Sequence, residues 1–365
     1  MSKIVISGFY GYHNIGDEAI LRTLTKTMRS LQPNVEITVL SNNPEETKSK
    51  FGVNAVDRSN VLSVFYEISK CDILISGGGS LLQDVTSARS IWYYLTIIRA
   101  GLFFRKRVIL LSHGIGPLIR ERNKKRVRRV LNKVDKVTVR DNQSALLLKE
   151  IGVDMNKVSV TTDPVMGMEM SGLELGKTIL EDISAWTSTR KKVAIAVRQK
   201  DFRDQVHKEK LVTLTNKLAQ NYEVYFLPFY YKNDTKIYDD LHELVDEHVH
   251  FVIKKYQSDA FMSLVENMDV LIGSRLHSLI FAMVAEVPFV GISYDPKIEN
   301  FLETVSKEPV CSILDFDPNI VIESVETIFE RYEIEKLEVI KEKHALIEKL
   351  QINVDLIQNL LSEAK

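Results

Sequence analysis

Residues 268–287 read MDVLIGSRLHSLIFAMVAEV, and the stretch from Gly273 to Met283, GSRLHSLIFAM, decides how the chain is built. Met268 to Ile272 is a short apolar run ending on Gly273, the pattern of a buried parallel strand. Leu279 to Val287 has few breakers and reads as a helix. Arg275 and His277 therefore fall in a strand-to-helix turn, at the carboxyl end of the strand and the amino end of the helix. Open α/β sheets bind ligands at that edge, where free backbone N–H groups and the helix dipole favour anions. Arg275 adds a fixed fork of donors suited to a carboxylate or phosphate. His277 adds a group that gains or loses a proton near neutral pH. Leu276 and Ser278 share the turn and join them as binding candidates. The bland alternative is a surface arginine and a core histidine at a helix start.

Working outward, short β-branched runs alternate with longer amphipathic segments. Lys3–Ser7, Val35–Leu40, Asp72–Ser76, Arg107–Ser112, Lys136–Val139 and Val158–Thr161 read as strands. Helices are expected between them at Glu18–Leu31, Ser59–Lys70, Ser87–Phe103, Lys124–Val134 and Asn142–Glu150. Pro164, Gly167, Gly172 and Gly176 interrupt the alternation, so 166–190 reads as a linker. Strands resume at Val193–Val197, Glu223–Leu227, His250–Ile253, Val270–Ile272 and Phe289–Ile292. Helices are expected there at Lys208–Asn221, Ile237–Glu247, Ser258–Glu266 and Leu279–Ala285. The reading is an α/β chain with two Rossmann-like domains, 1–165 and 191–318, and a charged helical tail, 319–365.

Other expected strand ends carry chemistry too. GFYGYHNIGDEAIL (Gly8–Leu21) has three glycines that permit close backbone approach, Gly16 among them, and then Asp17. It is neither GxGxxG in register nor a Walker loop. Asp17 suits a helix N-cap as well as it suits a catalytic base or hydroxyl ligand. SGGGSLLQD (Ser76–Asp84) brings Gly78 and Gly79 to the same edge. SHGIGP (Ser112–Pro117) and VRDNQS (Val139–Ser144) follow, the latter with Arg140. AIAVRQKDF places Arg198 at a strand end of the second half, where with Arg275 it could clamp a small di- or trianion. Tyr294 and Asp295 are expected to complete the wall.

The chain has 365 residues, 45% hydrophobic and 27% charged, with formal charge −1. Those values describe a soluble globular protein and give no global field for nucleic acid. Two cysteines, Cys71 and Cys311, make no disulfide framework, and no Cys/His spacing suggests zinc. The first residues enter a strand directly, so a signal peptide is not expected and a reducing cytoplasm is. Ile91–Phe104 (IWYYLTIIRAGLFF) is too short to span a bilayer. Arg105–Arg107 and the run Arg120, Arg122, Lys124, Lys125, Arg126, Arg128 and Arg129 follow it. A buried helix beside a solvated basic helix is the plain reading. The sharper one is a surface that meets anionic headgroups or a lipid-linked diphosphate, peripheral to the inner face of the membrane.

GYHNIGDEAIL, GGGSLLQD, VRDNQS and GSRLHSLIFA, in this order and spacing, resemble the polysaccharide pyruvyl transferases, especially their bacterial cell-wall members. The resemblance spans about residues 3–300. It implies a GT-B-like architecture with two Rossmann-like domains facing across a cleft, the acceptor on the first and phosphoenolpyruvate on the second. It further implies transfer of a pyruvyl group from phosphoenolpyruvate to N-acetylmannosamine of a lipid-diphosphate-linked disaccharide. The product is a pyruvate ketal on a secondary cell-wall polymer precursor, a polymer that anchors S-layer proteins, and phosphate is released. Under this reading Arg198 and Arg275 hold the donor's carboxylate and phosphate. His277 is the general acid or the support of the leaving phosphate, and Asp17 orients or deprotonates the sugar hydroxyl. Leu276, Ser278, Gly16, Gly78, Gly79 and Arg140 line the substrates. No metal or cofactor is expected, since two arginines and a helix terminus can neutralise a phosphate. A GT-B nucleotide-sugar glycosyltransferase is the main alternative, and a non-catalytic sugar-binding subunit the third.

Overall fold

The computed structural model describes residues 2–85, 88–183 and 189–363. It divides into two compact units. The first comprises Met1–Tyr12, Asp17–Gly167 and Leu346–Lys365, and the second His13–Gly16 and Met168–Ala345.

The first unit has strands β1 (Lys3–Tyr10), β2 (Glu36–Ser41), β3 (Asn54–Asp57), β4 (Ile73–Leu82), β5 (Arg107–Ile115), β6 (Lys136–Val139) and β7 (Val158–Val160). Between them run α1 (Ile15–Leu31), α2 (Pro44–Phe51), α3 (Val61–Lys70), α4 (Ala88–Phe103), α5 (Glu121–Leu131) and α6 (Asn142–Glu150). The strands form one parallel sheet in the order β3-β2-β1-β4-β5-β6-β7. The strand order reverses between β1 and β4, so a crevice opens at their carboxyl ends. There β1 ends at Tyr10, and β4 carries Gly77, Gly78 and Gly79. Ile91, Leu95 and Ile98 of α4 and Val127 and Leu131 of α5 close one face over Val5, Leu74 and Val108.

The second unit begins with α7 (Leu173–Ile183). Strands β8 (Lys192–Ala196), β9 (Glu223–Phe226), β10 (Val249–Phe251), β11 (Val270–Gly273), β12 (Phe289–Ser293) and β13 (Cys311–Ser312) follow. Its other helices are α8 (Gln205–Ala219), α9 (Tyr231–Asp234), α10 (Lys236–Leu241), α11 (Ser258–Glu266), α12 (Leu276–Val284), α13 (Pro296–Thr304) and α14 (Pro318–Glu330). This sheet is parallel in the order β10-β9-β8-β11-β12-β13, and its order reverses between β8 and β11. Gly273 pairs with Ala196 in that register, so Arg275 and Arg198 each lie two residues past the last paired position. The long α15 (Tyr332–Glu363) starts in the second unit and ends in the first.

Several boundaries differ from the sequence reading, each for a local reason. α1 begins at Ile15 because the Asn14 side chain accepts the Gly16 N–H at 3.1 Å, so Asn14 is the cap and Asp17 lies inside the first turn. α12 begins at Leu276 with Arg275 as its N-cap, which places His277 in the first helical turn rather than before it. The expected linker contains α7, which packs on α11: the Gly176 N–H donates to Ser263 Oγ at 2.7 Å, and a Cβ on Gly176 would meet Ser263 O at 2.2 Å. That glycine marks close helix packing, not a flexible joint. The expected tail is divided. α14 buries Val321 and Val325 in the core of the second unit, whereas Leu346 to Lys365 belong to the first. The expected helix start at Ser87 and the last two residues of the tail, 364 and 365, lie outside the described residues. α2, α9, α13, β3 and β13 were not anticipated. Yet α2 carries plain signals, an Asn43 cap, Pro44 at its start and Gly52 in a left-handed C-cap.

Candidate active site

In the first unit the residues gather at the β1/β4 switch point. Gly78 and Gly79 have φ of 64° and 77°, the left-handed region that favours glycine. A Cβ on Gly79 would lie 3.4 Å from Asp17 Oδ1, and one on Gly78 would lie 2.8 Å from Ile20. The glycine turn thus packs against the first turns of α1. The buried Tyr10 hydroxyl donates to Gly77 O at 2.7 Å and steadies the turn. Burial first, then the charges of Asp17, Tyr94 and Asp163, push this phenol well above its usual range, so it remains a neutral donor.

Arg140 is held more tightly than its sequence suggested. It is 8% exposed and donates to Asp163 Oδ2 and Ser80 Oγ, both at 2.9 Å. Its guanidinium also fills the space beside Gly114, where a Cβ would come within 2.8 Å of Nη2. Asp141 caps α6 through the Ser144 N–H. Asp84 accepts the backbone N–H groups of Ile119 and Arg120 and the Asn123 amide, fixing the loop after β5. His113 is fully buried rather than at the ligand edge. Its Nε2 donates to Ser76 O at 3.0 Å, and burial depresses its pKa to about 4.

In the second unit the β8/β11 switch point holds both arginines named above, and each faces a carboxylate. Arg198 Nε and Nη2 grip Asp201 at 2.6 Å each, and its guanidinium stacks on the Tyr294 ring. Much of its fork is therefore committed within the protein. Arg275 donates one amino group to Asp234, on α9. Its Nε is buried and has no hydrogen-bond partner among the described residues. Asp234 is 3% exposed and also accepts the Tyr230 N–H. Burial raises its pKa, and Arg275 opposes that rise. Asp295 caps α13 through the Lys297 N–H instead of lining a wall.

His277 rests against the segment His13–Gly16. Ile15 N donates to Phe229 O at 2.9 Å, and Asn14 bridges Tyr230, so the segment is fixed to the second unit. A Cβ on Gly16 would lie 2.0 Å from Cγ and Nδ1 of His277, so only glycine lets the imidazole lie there. Ser278 Oγ bonds back to Arg275 O at 2.7 Å, and Leu276 is buried; both support the turn rather than present side chains to a ligand. Beside Asp234 lies a small concavity, with room for little more than a water, lined by Val197, Leu227, Tyr238, Val252 and Ile253, among others.

Sequence reading missed Asp234 and Asp201 as partners. Asp201 was legible, three residues after Arg198. Asp234 lies 41 residues from Arg275 and only the fold brings it there. Among the described residues no group of three or more His, Cys, Asp or Glu is placed to hold a metal ion. No described helix is long and apolar enough to cross a membrane.

Comparison with known proteins bears on the fold and the family. The amylovoran biosynthesis protein AmsJ of Erwinia amylovora is 21% identical, over 91% of this chain and 93% of its own. HepE from Anabaena, solved with UDP-glucose, covers all of both chains with a TM-score of 0.66 at 12% identity. The UDP-GlcNAc 2-epimerase of Neisseria meningitidis, solved with UDP-GlcNAc, covers 96% of this chain and 99% of its own with a TM-score of 0.61 at 12% identity. At such identities the solved structures establish the fold alone, which is of GT-B type. The polysaccharide pyruvyl transferase model matches residues 14–296, from the Asn14 cap through the Arg275–His277 turn to the start of α13, and the chain belongs to that family of transferases.

Proposed function

We propose that the enzyme transfers the pyruvyl group of phosphoenolpyruvate to N-acetylmannosamine of a lipid-diphosphate-linked disaccharide, releasing phosphate. The observation that carries the donor assignment is Arg275. It gives Asp234 a single amino group and keeps a buried Nε without a protein acceptor among the described residues, at a sheet switch point and a helix N-terminus. Arg198, gripped by Asp201, has less of its charge and of its fork to offer a ligand.

The chemistry follows from the donor. A proton is delivered to the methylene carbon, and C2 becomes oxocarbenium-like. One sugar hydroxyl adds to C2, and a second displaces phosphate with its bridging oxygen to close the ketal. His277 is assigned as the acid that supplies the proton or steadies the departing phosphate. Asp17, beside the glycine turn of the first unit, is assigned to the sugar hydroxyl. The acceptor, its place in secondary cell-wall polymer synthesis with S-layer anchoring, and action at the cytoplasmic face of the membrane are extended from the resemblance to the cell-wall members.

A second reading, a nucleotide-sugar glycosyltransferase, is favoured by the fold, since HepE and the Neisseria epimerase that share it were solved with UDP-sugars. Calorimetric titration separates the two. Phosphoenolpyruvate should bind the wild type and bind Arg275→Lys about tenfold more weakly or worse, since lysine cannot reproduce the fork. Binding of a UDP-, GDP- or CMP-sugar with none of phosphoenolpyruvate would favour the second reading.

A further inference from the structure

The structure resolves the apolar α4 and the basic α5 into two different things. Ile91, Tyr94, Leu95, Ile97 and Ile98 are core, so most of α4 is ordinary packing. At its amino end, however, Trp92 is 42% exposed and Arg126 of α5 lies over its ring, 3.7 Å from the centroid. Desolvation first, and then the nearby charges of Arg122 and Arg99, lower the Arg126 pKa. Among the described residues none of Arg99, Arg122 and Arg126 forms an ion pair, Arg120 has the Asp84 carboxylate near it, and Glu121, the single acid of α5, is taken by Lys124. Val85 and Ile119, 56% and 68% exposed, stand at the same end. The Asp84 carboxylate ties the two loops together through the Ile119 and Arg120 N–H groups.

We infer that this surface, with Val85, Trp92 and Ile119 as apolar prongs among Arg99, Arg120, Arg122 and Arg126, seats the enzyme on an anionic lipid bilayer. Charge selects that occupant: four arginines with Asp84 as their one acidic neighbour among the described residues, in a chain of formal charge −1, form a local basic patch that attracts an external anion. The prongs select a bilayer over a polyanion, because an indole and two aliphatic side chains gain nothing from a phosphate backbone but enter the interfacial layer readily. The surface follows β4 and β5, at the carboxyl edge that also bears the glycine turn. The inference stands apart from the transfer chemistry and survives if the donor is reassigned.

The test is co-sedimentation of the full chain with phosphatidylcholine vesicles, with and without phosphatidylglycerol, across a salt series. Binding should need the anionic lipid and weaken with salt. Arg122→Ala with Arg126→Ala should reduce it by about thirtyfold, at roughly fivefold per arginine. Val85→Ser with Ile119→Ser should weaken it with the melting temperature unchanged. Brominated acyl chains should quench emission in the wild type, and Trp92→Phe should bind yet lose that quenching. Equal binding to neutral vesicles, no binding, or binding unaltered in the arginine pair overturns the inference. Stronger retention by duplex DNA than by vesicles, insensitive to the Val85/Ile119 pair, overturns it in favour of a polyanion partner.

Discussion

Gly16 has no room for a side chain because the His277 ring occupies the space a Cβ would take. Gly16→Ala should therefore displace the imidazole and lower kcat in parallel with His277→Ala, for which a loss of about 10²-fold or more is expected. Steady-state kinetics alongside thermal melting checks this: a structural histidine would show lost stability and intact specific activity instead. Arg275→Ala leaves Asp234 buried without its counter-charge and should cost about 3 kcal/mol or more. Adding Asp234→Asn should restore much of that stability in denaturant unfolding without restoring phosphoenolpyruvate binding. His113 predicts a pH dependence. Its folded pKa, about 4, lies below its ordinary 6.5, so the unfolded chain takes up the proton first as pH falls. Stability present above pH 6.5 is then lost on the way down to about 4, by about 3 kcal/mol. His113→Gln should flatten that limb in urea titrations across the range. Arg275 and His277 could be named from sequence because a strand, a glycine and a helix bracketed them. The partners that decide how much of each arginine remains open for a ligand were hidden, since Asp234 reaches Arg275 only through the packing of α9.

At the scale of elements, the second half of α15 is an integral part of the first unit. Asn353, 3% exposed, donates to Ser112 Oγ at 2.8 Å and Thr161 Oγ1 at 3.2 Å and accepts from Thr138 Oγ1 at 2.8 Å. Asn353→Ala removes a partner from three buried hydroxyls and should destabilise the protein by about 2 kcal/mol, read from denaturant midpoints. A neutral result would mean that α15 rests on the sheet without specifying it. Alternating apolar runs made the main strands legible, because strands covered on both faces must be hydrophobic throughout. Short polar elements such as β3, with sequence NAVD, lacked that signal. Glycine misled once: Gly176 was read as a break although it exists to let α7 approach the backbone of α11.

For the whole molecule, the parallel character of both sheets and the family assignment were within reach of the sequence. The division into units was not. It depends on His13–Gly16 pairing with Phe229 and Tyr230, and on α15 returning Leu346–Lys365 to the first unit, neither of which leaves a periodic trace. Net charge was equally silent about the lipid surface, since the basic end of α5 is offset elsewhere along the chain. The transfer reaction itself is open to one assay. Phosphate release from phosphoenolpyruvate is measured with and without a synthetic lipid-diphosphate disaccharide bearing N-acetylmannosamine. Acceptor-dependent release and a product heavier by a pyruvate ketal are expected. Folded enzyme that leaves phosphoenolpyruvate untouched, but transfers a sugar from a nucleotide donor to the same acceptor, would contradict the proposed transfer.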